Sequence, residues 1–316
     1  MIYFIKKICN FIFIGFGLTI IIYLLLSFSH KFLPSTDYYS KEFNQAFENK
    51  NYKLIALGNS KLLSSIDVNV LNKELNLKSV NLGYISSDVS ISKLTLETYL
   101  DKCIIKPKIV LLEVSWFTFN TNRTLFHPIS GDLFLVDYKM YKYFIRYYPL
   151  FSHSVKSSSF EQIKSHMMPP ANVDYDSLMK KDSNTDVKDY IFDIESFEEI
   201  FPTHKAGVNS KLLEDFNSLV SICKRNKIEL ILYTAPEDEE YSNLQNDRDL
   251  IKNIFYSTDK KYDNVFYFDY TKGSKLYKKK YEYWLYDSHH INEKELFTNI
   301  LMNDIKSRMD VTGSIN

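Results

Sequence analysis

A serine stands at the tip of the apolar run KLIALGNS, residues 53 to 60, and an Asp-x-x-His pair, Asp287 and His290, stands in WLYDSHHIN near the opposite end of the chain. These are the residue types of nucleophilic acyl transfer. A serine hydroxyl attacks only when a base removes its proton, an imidazole is the base that works near neutral pH, and a carboxylate fixes the imidazole tautomer. Because they are three residues apart, Asp287 can fold back onto His290 in a turn or a first helical turn, and Nε2 is left to face Ser60. His289 is the other candidate base, one residue closer to Asp287. Each piece also has an ordinary explanation: Gly, Asn and Ser favour turns, and Asp-x-x-His pairs often cap helices.

Acyl chemistry also needs donors for a developing oxyanion. The chain has 8 glycines, two of them in an N-terminal apolar segment. Of the rest, Gly58 and Gly83 close consecutive apolar runs, where glycine permits positive φ or close backbone approach. The Ser60 and Gly83 N–H groups are therefore the expected oxyanion hole. A third run, KIVLLEVS (108 to 115), ends in Glu113-Val114-Ser115, and Ser115 is a further candidate donor.

These residues need a scaffold, and the pattern around them supplies one. Apolar runs at 53–58, 79–83 and 108–115 alternate with helical segments at Asp67–Leu77 and Ser90–Cys103. After an aromatic and polar stretch at 117–202, read as a partly helical insertion, the alternation resumes. A helix at Asn209–Asn226, a strand at 228–235, a helix near Glu239–Ser257, a strand at 264–271 and a last helix at Glu293–Arg308 follow. Strands joined by helical crossovers predict an α/β fold, a doubly wound parallel five-stranded sheet. Ligands of such sheets bind at the carboxyl ends of the strands, where Ser60, Gly83, Ser115 and the TAPE stretch at 234–237 fall.

Residues 8–29 carry no charge and are long enough to cross a bilayer as a helix. Lys6 and Lys7 precede them, which keeps the N-terminus cytoplasmic and exports the remainder. A cleaved signal peptide is the competing reading. The expected organisation is an anchor at 1–29, a connector at 30–51, a catalytic domain at 52–310 and a tail at 311–316. Lys plus Arg and Asp plus Glu balance at 39 each, so no basic field favours nucleic acid. The three cysteines have no metal-ligand spacing. A Cys103–Cys223 disulfide and two buried thiols are both open. His127, His153, His166 and His204 are scattered and read as structural. Nothing calls for a cofactor or a metal. The aromatic stretch Tyr141 to Tyr148 fits a helix face, a sugar platform or a bilayer contact, and Lys278-Lys279-Lys280 a solvated run or a steering patch.

The blocks GNSKLLSSID (58–67), NLG (81–83) and DSHHIN (287–292) together resemble the SGNH (GDSL-type) hydrolase superfamily, over about residues 52 to 310. The resemblance implies a flavodoxin-like three-layer sandwich, Ser60 as nucleophile, Gly83 as oxyanion donor, and Asp287 and His290 as orienter and base. The spacing after Ser60, with Ser65-Ile66-Asp67 opening a helix, resembles membrane-anchored members linked to cell-surface polysaccharide O-acylation. It implies an acylated glycan as substrate and a membrane-bound O-acyltransferase as partner. Two departures stand out. Asn59 replaces the Asp before the nucleophile, and the Gly-x-Asn-Asp block is absent, its place taken by Glu113-Val-Ser115-Trp116. That loss leaves a degenerate, glycan- or partner-binding member as the alternative.

Overall fold

The computed structural model describes residues 15, 17–18, 51–83, 87–119, 208–238, 247–285 and 290–312. The chain divides into two compact units, Met1–Lys41 with Ser130–Asn172, and Glu42–Ile129 with Val173–Asn316. In the first, Gly15, Gly17 and Leu18 are helical. Among the described residues no helix is long and apolar enough to cross a membrane. The rest of the expected span at 8–29, the connector to 50 and the insertion from residue 120 onward lie outside them, as do Tyr141 to Tyr148, His127, His153, His166 and His204.

The second unit is built on β1 (Leu54–Leu57), β2 (Ser79–Asn81), β3 (Ile109–Glu113), β4 (Glu229–Thr234) and β5 (Val265–Asp269). They form one five-stranded sheet in the order β2-β1-β3-β4-β5, and every pairing is parallel. Nearly every strand residue is buried. That accounts for their continuous apolar runs, since a parallel sheet has helices on both faces.

The helices are α1 (Ser60–Ser65), α2 (Val68–Leu75), α3 (Val89–Lys102), α4 (Ser210–Arg225), α5 (Arg248–Lys261) and α6 (Lys294–Thr312). Their starts follow local chemistry. Asp67, Asp88 and Asn209 each accept two backbone N–H groups as N-caps, which satisfies donors that the first turn cannot pair internally. The chain leaves β1 in one direction along the sheet and returns past it to β3, so right-handed crossovers place α2 and α3 on opposite faces. On one face Leu62, Leu71, Phe297, Leu301 and Ile305 pack against the side chains of Leu54, Ala56, Leu111, Ile231 and Phe268. On the other, Phe119, Phe216 and Phe255 form a ring cluster that reaches Tyr267.

Two expectations shift, and the cysteine alternatives resolve to free thiols. The helix placed at 239–257 runs over Arg248–Lys261, with residues 239–246 outside the described part. Its extension to Lys261 reflects Ile251, Phe255 and Thr258, buried at helical spacing. The six residues from Ser60 to Ser65 form a helix, too short to show periodicity in the sequence. Cys103 and Cys223 are free thiols, and burial pushes that of Cys223 up to about 12.

Burial also pushes the Glu229 carboxyl above the usual range, with its Oε2 enclosed and unpaired among the described residues. A carboxyl raised in the folded state binds its proton more tightly there than in the unfolded chain. Its contribution to stability is therefore present at low pH and lost as pH rises through the folded value. Glu229→Gln is expected to melt above the parent at pH 7 and level with it at pH 4 in parallel thermal scans.

Candidate active site

The strand order reverses between β1 and β3, the switch point at which sheets of this topology bind ligands. Ser60 follows β1 at this point as the first residue of α1, partly exposed. Asn59 is the N-cap and accepts the Lys61 N–H at 2.8 Å. The Asn at this position thus keeps the capping function an Asp would serve, without its charge. Ser60 Oγ makes no hydrogen bond to any described residue.

Both glycines serve close packing. A Cβ on Gly58, where φ is +153°, would lie 2.8 Å from Glu113 Cβ and 3.1 Å from Leu62 Cβ. A Cβ on Gly83 would lie 2.6 Å from Leu62 Cδ2. Leu62, fully buried, is therefore seated between the ends of β1 and β2 only because neither carries a side chain there. The Gly83 N–H donates to Asn81 Oδ1 at 2.8 Å. It reaches a substrate oxygen only when the Asn81 side chain turns away.

His290 is partly exposed, and its Nε2 atom is enclosed. Leu285 and Ile291, on either side of it in sequence, form an antiparallel bridge, reinforced by a 2.7 Å bond from Asn292 N–H to Trp284 O. Both bridging residues are in the core. Asp287 and His289 lie outside the described residues. No hydrogen bond joins Ser60 to His290. The elements that carry them are tied together by Thr298 in α6, fully buried. Its hydroxyl accepts from Asp67 N–H at 2.9 Å and sits 3.2 Å from Ser65 O and 2.7 Å from Lys294 O.

Ser115 is 1% exposed, with its N–H donating to Thr118 Oγ1 at 2.9 Å. Its side chain lines a pocket with Trp116, Thr234, Glu237, Arg248 and Lys252. The enclosed space holds about one water molecule, too little for a sugar ring or an acyl chain. No cluster of His, Cys, Asp or Glu among the described residues could hold a metal. Lys278, Lys279 and Lys280 are exposed, and Lys280 lies over the Trp284 ring.

One feature escaped the sequence reading. Lys61, the residue after Ser60, is buried and bonds Glu237 Oε1 from the loop after β4, with Glu113 Oε1 at 4.0 Å. The signal available was a lysine directly before the pattern LLSSI, with acidic residues at other strand ends, but charge spacing across 176 residues has no local signature.

No protein-family model matches the chain, and no curated protein matches it. Among solved structures it is similar to a proposed acylhydrolase from Bacteroides fragilis NCTC 9343, at 11% identity over 82% of this chain and 86% of that one, with a TM-score of 0.40. It is also similar to a proposed lipolytic protein of the G-D-S-L family from Desulfitobacterium hafniense DCB-2, at 15% identity over 82% and 99%, with a TM-score of 0.40. A proposed platelet activating factor from Streptococcus pneumonia matches at 10% identity over 92% and 98%, with a TM-score of 0.36. The α/β class stands independently of these likenesses, on strand order and parallel register.

Gly58→Ala is expected to destabilise the fold by about 1–3 kcal/mol through overpacking, because the nearest atoms are Cβ atoms anchored to backbone. Urea denaturation of the purified chain measures this as a lower midpoint at unchanged slope.

Proposed function

We propose that the protein is a membrane-anchored, extracytoplasmic SGNH-type serine esterase or O-acyltransferase that acts on acyl esters of cell-surface glycans. The observation that carries this reading is the placement of Ser60. It follows β1 at the switch point of a β2-β1-β3-β4-β5 sheet, in the first turn of a helix, with no hydrogen bond from its hydroxyl to any described residue. In this reading His290 takes the Ser60 proton and Asp287 orients the imidazole. Ser60 Oγ attacks the acyl carbon, the Ser60 and Gly83 N–H groups receive the oxyanion, and the alcohol leaves with the proton from His290. Water or a sugar hydroxyl then takes the acyl group from Ser60, the first giving an esterase and the second a transferase. The apolar stretch at 8–29, with Lys6 and Lys7 before it, supports anchoring and export, and an envelope location favours a glycan acceptor delivered with a membrane-bound acyltransferase partner.

A second reading is a catalytically degenerate, glycan- or partner-binding protein. It is favoured by the Gly83 N–H already held by Asn81 and by the missing Gly-x-Asn-Asp block, since loss of one oxyanion donor costs about 100- to 1,000-fold in rate.

Fluorophosphonate labelling of the full chain in detergent separates the two. The esterase or transferase reading expects covalent labelling that falls about 1,000-fold or more in Ser60→Ala and in His290→Ala. A folded wild-type chain that takes no label, or that labels equally in Ser60→Ala, overturns it in favour of the binding protein. For a labelled chain, release of the acyl group to water that added glycan does not alter removes the transferase branch.

A further inference from the structure

Lys61 occupies a position that local physics disfavours. It is the second residue of α1, at the end of the helix where the backbone dipole already repels a cation, and its side chain is 1% exposed. A buried ammonium is costly unless paired. Two carboxylates from distant strand ends meet it: Glu237, 2% exposed and in direct contact, and Glu113, fully buried at 4.0 Å. An apolar residue of similar length would fill the same space without this cost, as replacements of buried ion pairs by packed hydrophobic residues often show.

The geometry of α1 gives the cluster a purpose. A helix of six residues has no appreciable stability of its own, so its orientation is set by tertiary bonds. Ser65 Oγ is hydrogen-bonded to the Tyr233 hydroxyl at 2.8 Å, and the Ser65 carbonyl faces Thr298. These hold the carboxyl end of the helix to β4 and α6. At the amino end, among the described residues, Asn59 bonds within its own turn, and Leu62 packs without directional preference. The turn that bears Ser60 has two directional long-range restraints among the described residues, a 2.6 Å hydrogen bond from Ser87 Oγ to Gly58 O and the Lys61–Glu237 ion pair, and only the ion pair acts from within α1.

We propose that Lys61 is a positioning residue for the nucleophile, with the Lys61–Glu237 pair fixing the first turn of α1 against the loops after β3 and β4 and so setting the direction of Ser60 Oγ. The inference rests on the reading of Ser60 as nucleophile.

The test compares the full chain in detergent with Lys61→Met, Glu237→Gln, the double variant, and Leu71→Ala in α2 as a folded control that loses stability through a core cavity. Fluorophosphonate labelling is resolved into probe affinity and the rate of covalent bond formation, and hydrogen exchange is read over residues 60–65. Both single variants should slow bond formation about 10- to 100-fold at unchanged probe affinity, while Leu71→Ala leaves it alone. The double variant should be no slower than Lys61→Met, as for two residues acting as one unit. Bond formation at the parental rate in folded Lys61→Met overturns the proposal. If the wild-type chain takes no label, the serine chemistry fails separately and exchange decides. Faster exchange at 60–65 in Lys61→Met than in Leu71→Ala sustains the positioning role, and equal exchange in both overturns it.

Discussion

A lysine buried at the start of a helix has to be neutralised, and that requirement joins three parts of the chain that are far apart in sequence. Lys61 belongs to the turn after β1, Glu113 ends β3, and Glu237 follows β4. Their charges meet at the carboxyl edge of the sheet, beneath the turn that presents Ser60. Removing Lys61 would leave two buried carboxylates without the cation between them, which is why such pairs are strongly coupled to the surrounding fold even when their net contribution to stability is small. The candidate site is thus supported from below by electrostatics and from the side by the packing of Leu62 against two glycines.

Polar groups elsewhere in the domain follow the same logic. The strand interiors of β1, β3, β4 and β5 are mainly apolar, and charged side chains gather where the sheet ends or where helices meet. Asp269, at the end of β5, is held by Lys252 at 3.0 Å and accepts from Thr271 N–H and Oγ1. Asp215 in α4 is held by Lys93 and Ser90 of α3 at 2.9 and 2.6 Å, which fixes how those two helices cross. Buried charges are tolerated when paired and hydrogen-bonded, and here each pairing also joins separate elements.

Much of the architecture was legible in the chain. Continuous apolar runs separated by amphipathic segments identified five parallel strands, and Asp67 and Asn209 marked helix starts because a side-chain oxygen there satisfies the first free N–H groups. Gly58 and Gly83 were recognised as places of close approach. What approaches them, Leu62, was not, because α1 is too short to leave a periodic trace. Gly83 also pointed to an oxyanion donor, whereas its N–H is bonded to Asn81 two residues earlier, a competition that turn-forming Asn offers wherever it precedes a free amide.

The sequence by itself determined the class of the domain, the order of its elements and the residue types available for chemistry, because these depend on periodicity, capping and composition within a few residues. Only the tertiary structure decided which strand ends are neighbours, that Ser60 and Glu113 flank the reversal of strand order, and that Lys61 is neutralised by Glu237. Those outcomes depend on desolvation and charge pairing between groups up to 176 residues apart, energies that exist only once the sheet has assembled and water has been excluded from its edge.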